Sequence, residues 1–232
     1  MNRRSRGILV GMSIGDGYLV RQNYSYSLRI EHSLKQLPYL EHKANKLDSI
    51  FGGKKRVVYR RDRLDKRTNK TYRSCSIAKG NKYFKYLLKR LYPNGTKTYT
   101  KQVLDYLTPE GVAIWYMDDG NCKLSISKRT GKISSCQTYL ATHCTKGEAE
   151  LIVDYFRETW GVVFKIYTRK DGSCVICANT QASKVFVALV RKYIIPSMAY
   201  KIRHVPVETQ ECLAPSGWRD SPNSYVNMRS LS

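Results

Sequence analysis

The chain repeats itself, and that constrains its fold more than any local propensity. ILVGMSIGDGYL at 8–19 and VAIWYMDDGNCKL at 112–124 are apolar runs with helical spacing, and both end in Asp-Gly, at Asp16-Gly17 and Asp119-Gly120. Self-similarity of this kind requires one supersecondary unit to be built twice and the copies packed together. The matches continue in order. LRIEHSLKQLPYLEHKANKL at 28–47 lines up with LATHCTKGEAELIVDYF at 140–156, setting His32 and Lys35 against His143 and Lys146, and Leu40 against Leu151. Ile50-Phe51-Gly52 answers Thr159-Trp160-Gly161. YFKYLLKRLYP at 83–93 and VFVALVRKYIIP at 185–196 each predict a helix ended by proline. A lysine follows each proline: Lys97 stands 81 residues after Asp16, and Lys201 stands 82 after Asp119.

Each half therefore predicts helix, two strands, helix, two strands, helix. The class is α+β, built from two αββαββα repeats over residues 1–100 and 101–207. Residues 208–232 lose periodicity, turn rich in Ser, Pro and Asn, and are expected to form a poorly ordered tail. Strand alternation sets Leu28 and Ile30 opposite Ser27 and Arg29, and sets Leu124 and Ile126 against Lys123, Ser125 and Ser127. Lys165, Tyr167 and Arg169 share one face of residues 162–169. The basic stretch Lys54–Arg73 predicts a long hairpin with its loop near 62–69. A sheet with one apolar and one Lys/Arg/Tyr/Ser face fits helices on one side and DNA on the other.

Charge supports that reading. Forty-one Lys and Arg against 18 Asp and Glu leave +23. Such an excess destabilises a fold by self-repulsion unless an anionic partner offsets it. Nucleic acid is the leading partner and an anionic membrane surface the alternative. The basic residues are interleaved with 18 tyrosines, which offer stacking faces and phosphate-bonding hydroxyls. No apolar run approaches the length of a membrane span, and MNRRSRG does not read as a signal peptide. Seven cysteines at irregular spacings suggest free thiols in a reducing compartment. Cys174 and Cys177 flank Val-Ile with no second pair to match, and read as buried strand cysteines rather than a zinc or redox motif.

In both repeats the glycine after Asp fits a left-handed helix cap, which places the Asp in the last turn. A carboxylate at that negative end is disfavoured by up to about 1 kcal/mol. Breaking the rule twice at equivalent positions suggests function, and a divalent cation would reverse the sign of the cost. Either Asp-Gly alone would more often be an ordinary turn. Gly11 and Gly15 destabilise a helix interior unless a second helix approaches closely. The equivalent helix, with Ala113 on its contact face, is the expected partner, and its approach would bring Asp16 and Asp119 into one hard-oxygen site. Asp118 or Asp119 could be the ligand; register selects Asp119 and leaves Asp118 as a flanking or solvent-facing residue. His32 and His143 are expected to open helices or touch DNA backbone, not to bind zinc. Base readout is expected from the polar strand faces: Arg21, Gln22, Arg29, Arg60, Arg61, Lys123, Ser125, Lys165, Tyr167 and Arg169.

LVGMSIGDG at 9–17 and VAIWYMDDG at 112–120 resemble the two motif copies of the LAGLIDADG homing endonucleases. The first keeps Leu, Gly, Asp and Gly; the second keeps Ala, Asp and Gly but carries Ile114 where Gly is usual. LTPEGVAIWYMDDG and IIPSMAYKI are similar to the single-chain branch encoded in group I introns. The resemblance, which spans residue 7 to about 207, implies a pseudo-twofold pair with central motif helices and antiparallel sheets forming a DNA-binding saddle. It implies a monomeric, Mg²⁺-dependent endonuclease, with Mn²⁺ able to substitute. Such an enzyme cuts both strands of a long asymmetric duplex and leaves 3′ overhangs. Asp16 and Asp119 match the family's metal ligands, and Lys97 and Lys201 match basic residues of the active centre, with phosphate contacts as the plainer alternative. The alternative function on the same scaffold is an intron maturase with intron RNA as partner. An organelle, or a bacterial or phage cytoplasm, is the expected location.

Overall fold

The structure, a computed structural model, describes residues 1–54, 57–59 and 62–205. The readings made for Arg60, Arg61 and the tail from 208 onward fall outside the described residues. Asn2 caps the first helix by accepting the Ser5 N–H, and α1 (Arg3–Ile14) then runs buried from Gly7 to its end. It leads into β1 (Gly17–Gln22), β2 (Ser25–Ser33) and α2 (Leu37–Phe51). The second strand pair of this half is β3 (Val58–Tyr59) and β6 (Ser74–Gly80), followed by α3 (Tyr83–Leu91). Between them lies a small ribbon, β4 (Arg63–Asp65) with β5 (Lys70–Tyr72); it is shorter than the hairpin expected over 54–73, because β4 falls within the expected loop and the turn is confined to 66–69, with Asn69 at φ 52°.

A short α4 (Lys101–Leu104) precedes the second half. Thr108 caps α5 (Pro109–Asp119) by accepting the Gly111 N–H, with Pro109 in the first turn, where its missing donor costs nothing. There follow β7 (Gly120–Ile126), β8 (Ile133–Cys144), α6 (Lys146–Trp160), β9 (Phe164–Thr168), β10 (Cys174–Ala178) and α7 (Thr180–Val190). Thr145 and Glu148 form a reciprocal capping box on α6, and Gly161 ends it in the left-handed region. A 3-10 turn spans Pro196–Lys201.

The two four-stranded sheets have the same order, β1-β2-β6-β3 and β7-β8-β10-β9, and every pairing is antiparallel. In each, alternate residues enter the core: Leu28, Ile30 and His32 of β2, and Cys136, Thr138, Leu140 and Thr142 of β8. Helices α2 and α3 cover the first sheet, α6 and α7 the second. Helices α1 and α5 pack against each other, and their residues Leu9, Val10, Met12, Val112, Ala113, Trp115 and Met117 are fully buried.

Several expectations need correction. The last helix begins at Thr180, not 185, because Asn179 caps it by accepting the Ala182 N–H, and it ends at Val190. Ile126 is exposed: the register of β7 on β8 shifts after Ser125, so the apolar alternation stops at Leu124. His32 and His143 are not equivalent. Gly17 pairs with Ile30 and Gly120 with Leu140, which makes Thr142 the counterpart of His32. An irregularity in β8 adds two residues between the partners of Ile176 and Cys174, leaving His143 at φ 49° on the opposite face. The reading of Cys174 and Cys177 agrees with the structure. Both are buried in β10, and three residues apart on a strand they point to opposite faces. Among the described residues no helix is long and apolar enough to cross a membrane.

Candidate metal centre and nucleic-acid interface

The helix pair sets the site. A Cβ added at Gly11 would come within 3.0 Å of the Gly111 backbone, one at Gly111 would do the same to Gly7, and one at Gly15 would meet the Asp118 side chain. The expected glycine-mediated approach is present, but its closest partner on α5 is Gly111 rather than Ala113. The glycines after the aspartates also differ from expectation. Gly120 is extended at φ −88°, and Gly17 is absent from the positive-φ glycines. Both begin strands; Gly120 still caps α5, donating its N–H to the Tyr116 carbonyl, but in an extended rather than a left-handed conformation, and α1 is capped by Gly15. What demands glycine is space, since a Cβ at Gly17 would strike the Met12 carbonyl and one at Gly120 the Tyr116 ring. Asp119 is the last residue of α5, and Asp16 lies just beyond the end of α1.

The two carboxylates share one electrostatic environment. Burial, then the Asp16 and Asp118 carboxylates, push Asp119 up to about 7, against the opposing pull of Lys97 and Lys201. Asp16 is raised by burial and by Asp118, with Lys43, Lys201 and Lys97 opposing, although its side chain stays 41% exposed. The lysines act as a matched pair. Lys97 Nζ donates to the carbonyls of Ile14 and Gly15 at 3.2 and 3.0 Å, and Lys201 Nζ donates to those of Met117 and Asp118, the latter at 2.9 Å. Each ammonium thus closes the carboxyl end of one motif helix, where cations are favoured. Burial lowers both lysine pKa values, offset by the three nearby aspartates.

Asp118 overturns its expectation. Its side chain is 0% exposed, pairs with Lys43 Nζ at 2.5 Å, and accepts the Asp16 N–H on its other oxygen at 3.0 Å. Lys43 Nζ also lies 3.1 Å from His32 Nε2 and 4.4 Å from the Tyr39 ring centre. His32 is buried with Nδ1 3.4 Å from Asp16 Oδ2, so it neither opens a helix nor faces DNA backbone. Burial and the Lys43 ammonium lower its pKa to about 4. Ligating atoms of Asp16, His32 and Asp118 lie within 4.8 Å of one another. The Lys43 ammonium already neutralises the Asp118 corner of that triangle. Asp119 lies outside that triangle, but with Asp16 it could hold a hard divalent cation, since both offer carboxylate oxygens and both are disfavoured in the charged form.

Sequence reasoning missed Lys43, although a signal for it exists. Tyr39, Leu40, Ala44 and Leu47 form the buried stripe of α2, and Lys43 interrupts that stripe.

The predicted readout residues divide by face. Strand pairing puts Gln22 with Ser25, and Arg29 with Tyr18 and Ala78, on the side of the first sheet away from the helices. Arg21 pairs with Tyr26 on the other side, exposed at the strand end, and bonds the Asn23 carbonyl at 3.3 Å. In the second sheet Lys123 pairs with Gln137, Ser125 with Ser135, Tyr167 with Val175 and Lys165 with Cys177, all on the open face. Arg169 follows β9, with Nη1 3.3 Å from His143 Nδ1. Gln137 and Tyr139 stand on the same face and were not anticipated.

Three comparisons bear on this arrangement. A protein named RecA from Mycolicibacterium fallax is 31% identical over 116 residues, covering 47% of this chain and 26% of the relative. The chain spans less than half the length of such relatives, 45% for the one from Mycolicibacterium chitae. A probable intron-encoded endonuclease 1 of Wickerhamomyces canadensis is 24% identical over 201 residues, covering 84% of this chain and 81% of the relative. The solved structure of the homing endonuclease I-WcaI, bound to its DNA recognition sequence, superposes with a TM-score of 0.72 at 22% identity, covering 87% of this chain and 86% of that one. The profile of the LAGLIDADG DNA endonuclease family matches residues 6–186, and with the doubled motif helices, matched sheets and shared acidic centre already in place, the chain belongs to that family.

Proposed function

We propose that the protein is a site-specific, double-strand DNA homing endonuclease that hydrolyses a long asymmetric target and leaves 3′ overhangs. The observation that carries this reading is the junction of α1 and α5, where the Asp16 carboxylate helps to raise the pKa of Asp119 and two lysines are anchored to the helix ends. Asp16 and Asp119 would hold Mg²⁺ or Mn²⁺, which when bound supplies water activation and charge neutralisation. Lys97 and Lys201 hold fixed positive charge beside the carboxylates and would favour the charge that develops on a scissile phosphate. Gln22, Arg29, Lys123, Ser125, Lys165, Tyr167 and Arg169 would read bases or hold backbone, with Arg21 placed for backbone contact at the rim. The division into repeats at 1–100 and 101–207 and a monomeric state belong to the same proposal.

The test is to incubate the chain with a randomised duplex library in Mg²⁺, Mn²⁺, Ca²⁺ or excess chelator and to sequence the ends produced. Cutting at one sequence in Mg²⁺ and Mn²⁺ only, with staggered 3′ ends, is the expected result. Robust cutting in chelator rejects the metal mechanism. Absence of any cutting, with retention of structured intron RNA, favours the maturase.

A further inference from the structure

The buried polar residues around Asp16 form a closed ring. The Asp16 N–H donates to Asp118 Oδ2 at 3.0 Å, and Asp118 Oδ1 takes the Lys43 ammonium at 2.5 Å. That ammonium lies 3.1 Å from His32 Nε2, while His32 Nδ1 makes an ion-pair contact of 3.4 Å with the Asp16 carboxylate and the His32 side chain also hydrogen-bonds Gln36. An ammonium has only donors, so it faces His32 Nε2 as an acceptor. In a neutral ring the remaining proton then sits on Nδ1, on the side of Asp16. Buried charge is stabilised only where every partner is satisfied, and such a network has high positional specificity.

Among the described residues the second half has no such ring. Gly15 stands where Asp118 does, and Thr142 replaces His32, with its hydroxyl bonded to the Cys174 carbonyl at 2.9 Å. Lys97 and Lys201 serve the two helix ends alike, so the difference lies in the backbone: Asp119 is the last residue of α5, whereas Asp16 lies beyond the last turn of α1.

We infer that His32 is a positioning residue: Lys43 and Asp118 fix its orientation and tautomer so that Nδ1–H holds the Asp16 carboxylate in its metal-accepting pose. This rests on the reading of Asp16 as a metal ligand. Outer partners of this kind typically change metal affinity 10–100-fold when removed.

Amide substitutions separate positioning from packing. The Asn amide nitrogen overlays imidazole Nδ1, whereas the Gln amide overlays Nε2. His32→Asn keeps a donor toward Asp16 but loses Lys43, and His32→Gln does the reverse. His32→Leu removes both. The readout is Mn²⁺ binding, followed by the loss of the free-ion paramagnetic resonance signal, for the full chain bound to the duplex recovered from the library. Thermal melts run alongside.

His32→Asn should bind Mn²⁺ within about threefold of wild type, and His32→Gln and His32→Leu about 10–100-fold more weakly. If His32 only fills space and satisfies Lys43, the order inverts: His32→Gln matches wild type and His32→Asn is the worse variant. That inversion, or unchanged Mn²⁺ affinity in His32→Leu, overturns the proposal. Asp16→Asn is the control. If it binds Mn²⁺ like wild type, or if wild type takes up no Mn²⁺, the metal-ligand reading falls and the positioning role with it. If Asp16→Asn loses Mn²⁺ while His32→Leu does not, the positioning role alone falls.

Discussion

Asp119 is held at about 7 by burial and by its acidic neighbours, so its charge state follows pH in the working range. The folded pKa lies above the ordinary value of 3.8. The folded chain therefore keeps a proton that the unfolded chain releases, and metal-free stability falls as pH rises from about 4 through about 7. A divalent ion competes with that same proton. The rise in Tm on adding Mg²⁺ should be small at about pH 5.5 and larger at about pH 8. An equal rise at both would show that Asp119 is not a ligand. Asp16→Asn and Asp119→Asn should each reduce double-strand cleavage by at least about 100-fold, more than loss of an outer partner. Gel-shift affinity should hold, because the open sheet faces are untouched; a wild-type cutting rate in either variant excludes that residue. Asp118 belongs to a different class. Asp118→Ala strands the Lys43 ammonium in the core and should cost about 3–5 kcal/mol in a urea melt.

Among the elements, α1 is spaced by glycine at positions 7, 11 and 15 because α5 occupies the volume a side chain would take. Gly11→Ala would drive a methyl into the Gly111 backbone, which cannot rotate away as a side chain can. The helix-propensity gain of about 0.5–1 kcal/mol is outweighed by overpacking at or above the upper end of the usual 1–3 kcal/mol. Gly147 in α6 meets nothing within 4 Å of the Cβ position. Gly147→Ala should therefore stabilise by about 0.4–1 kcal/mol. Denaturation of the two variants should give opposite signs for the same chemical change, and destabilisation of both would mean that α6 is the more constrained helix. Lys97 and Lys201 act at this scale too, since each joins the carboxyl end of a motif helix to a segment after the half's last helix.

For the whole molecule, +23 is concentrated neither in a tail nor on one helix. The open sheet faces carry Arg29, Lys123 and Lys165, and α3 carries further charge at Lys85 and Lys89. Neutralising some six to ten phosphates would lower affinity by about 10³–10⁵ between 50 and 200 mM salt. Filter binding across that range, plotted log against log, is the check. A slope near zero would mean that the charge is not used on DNA.

Much of this architecture was legible in the chain. The Asp-Gly pair, the Asp-to-Lys spacings and the alternation in β2 and β7 depend on neighbours in sequence, and periodicity records those neighbours directly. The apolar motif runs likewise called for a partner helix, since glycines at that spacing are tolerable only against one. Gly111 as the point of contact, the strand irregularity that breaks the match between His32 and His143, and the burial of Asp118 were not legible. Each depends on which groups meet across distant segments: Asp118 meets Lys43 at a separation of 75 residues and the Asp16 N–H at 102. A lone aspartate reads as solvent-facing because burying its charge costs several kcal/mol. Only the folded chain supplies the ammonium and the N–H that offset this cost, and so only the tertiary structure decides that the Asp118 side chain is sealed from solvent.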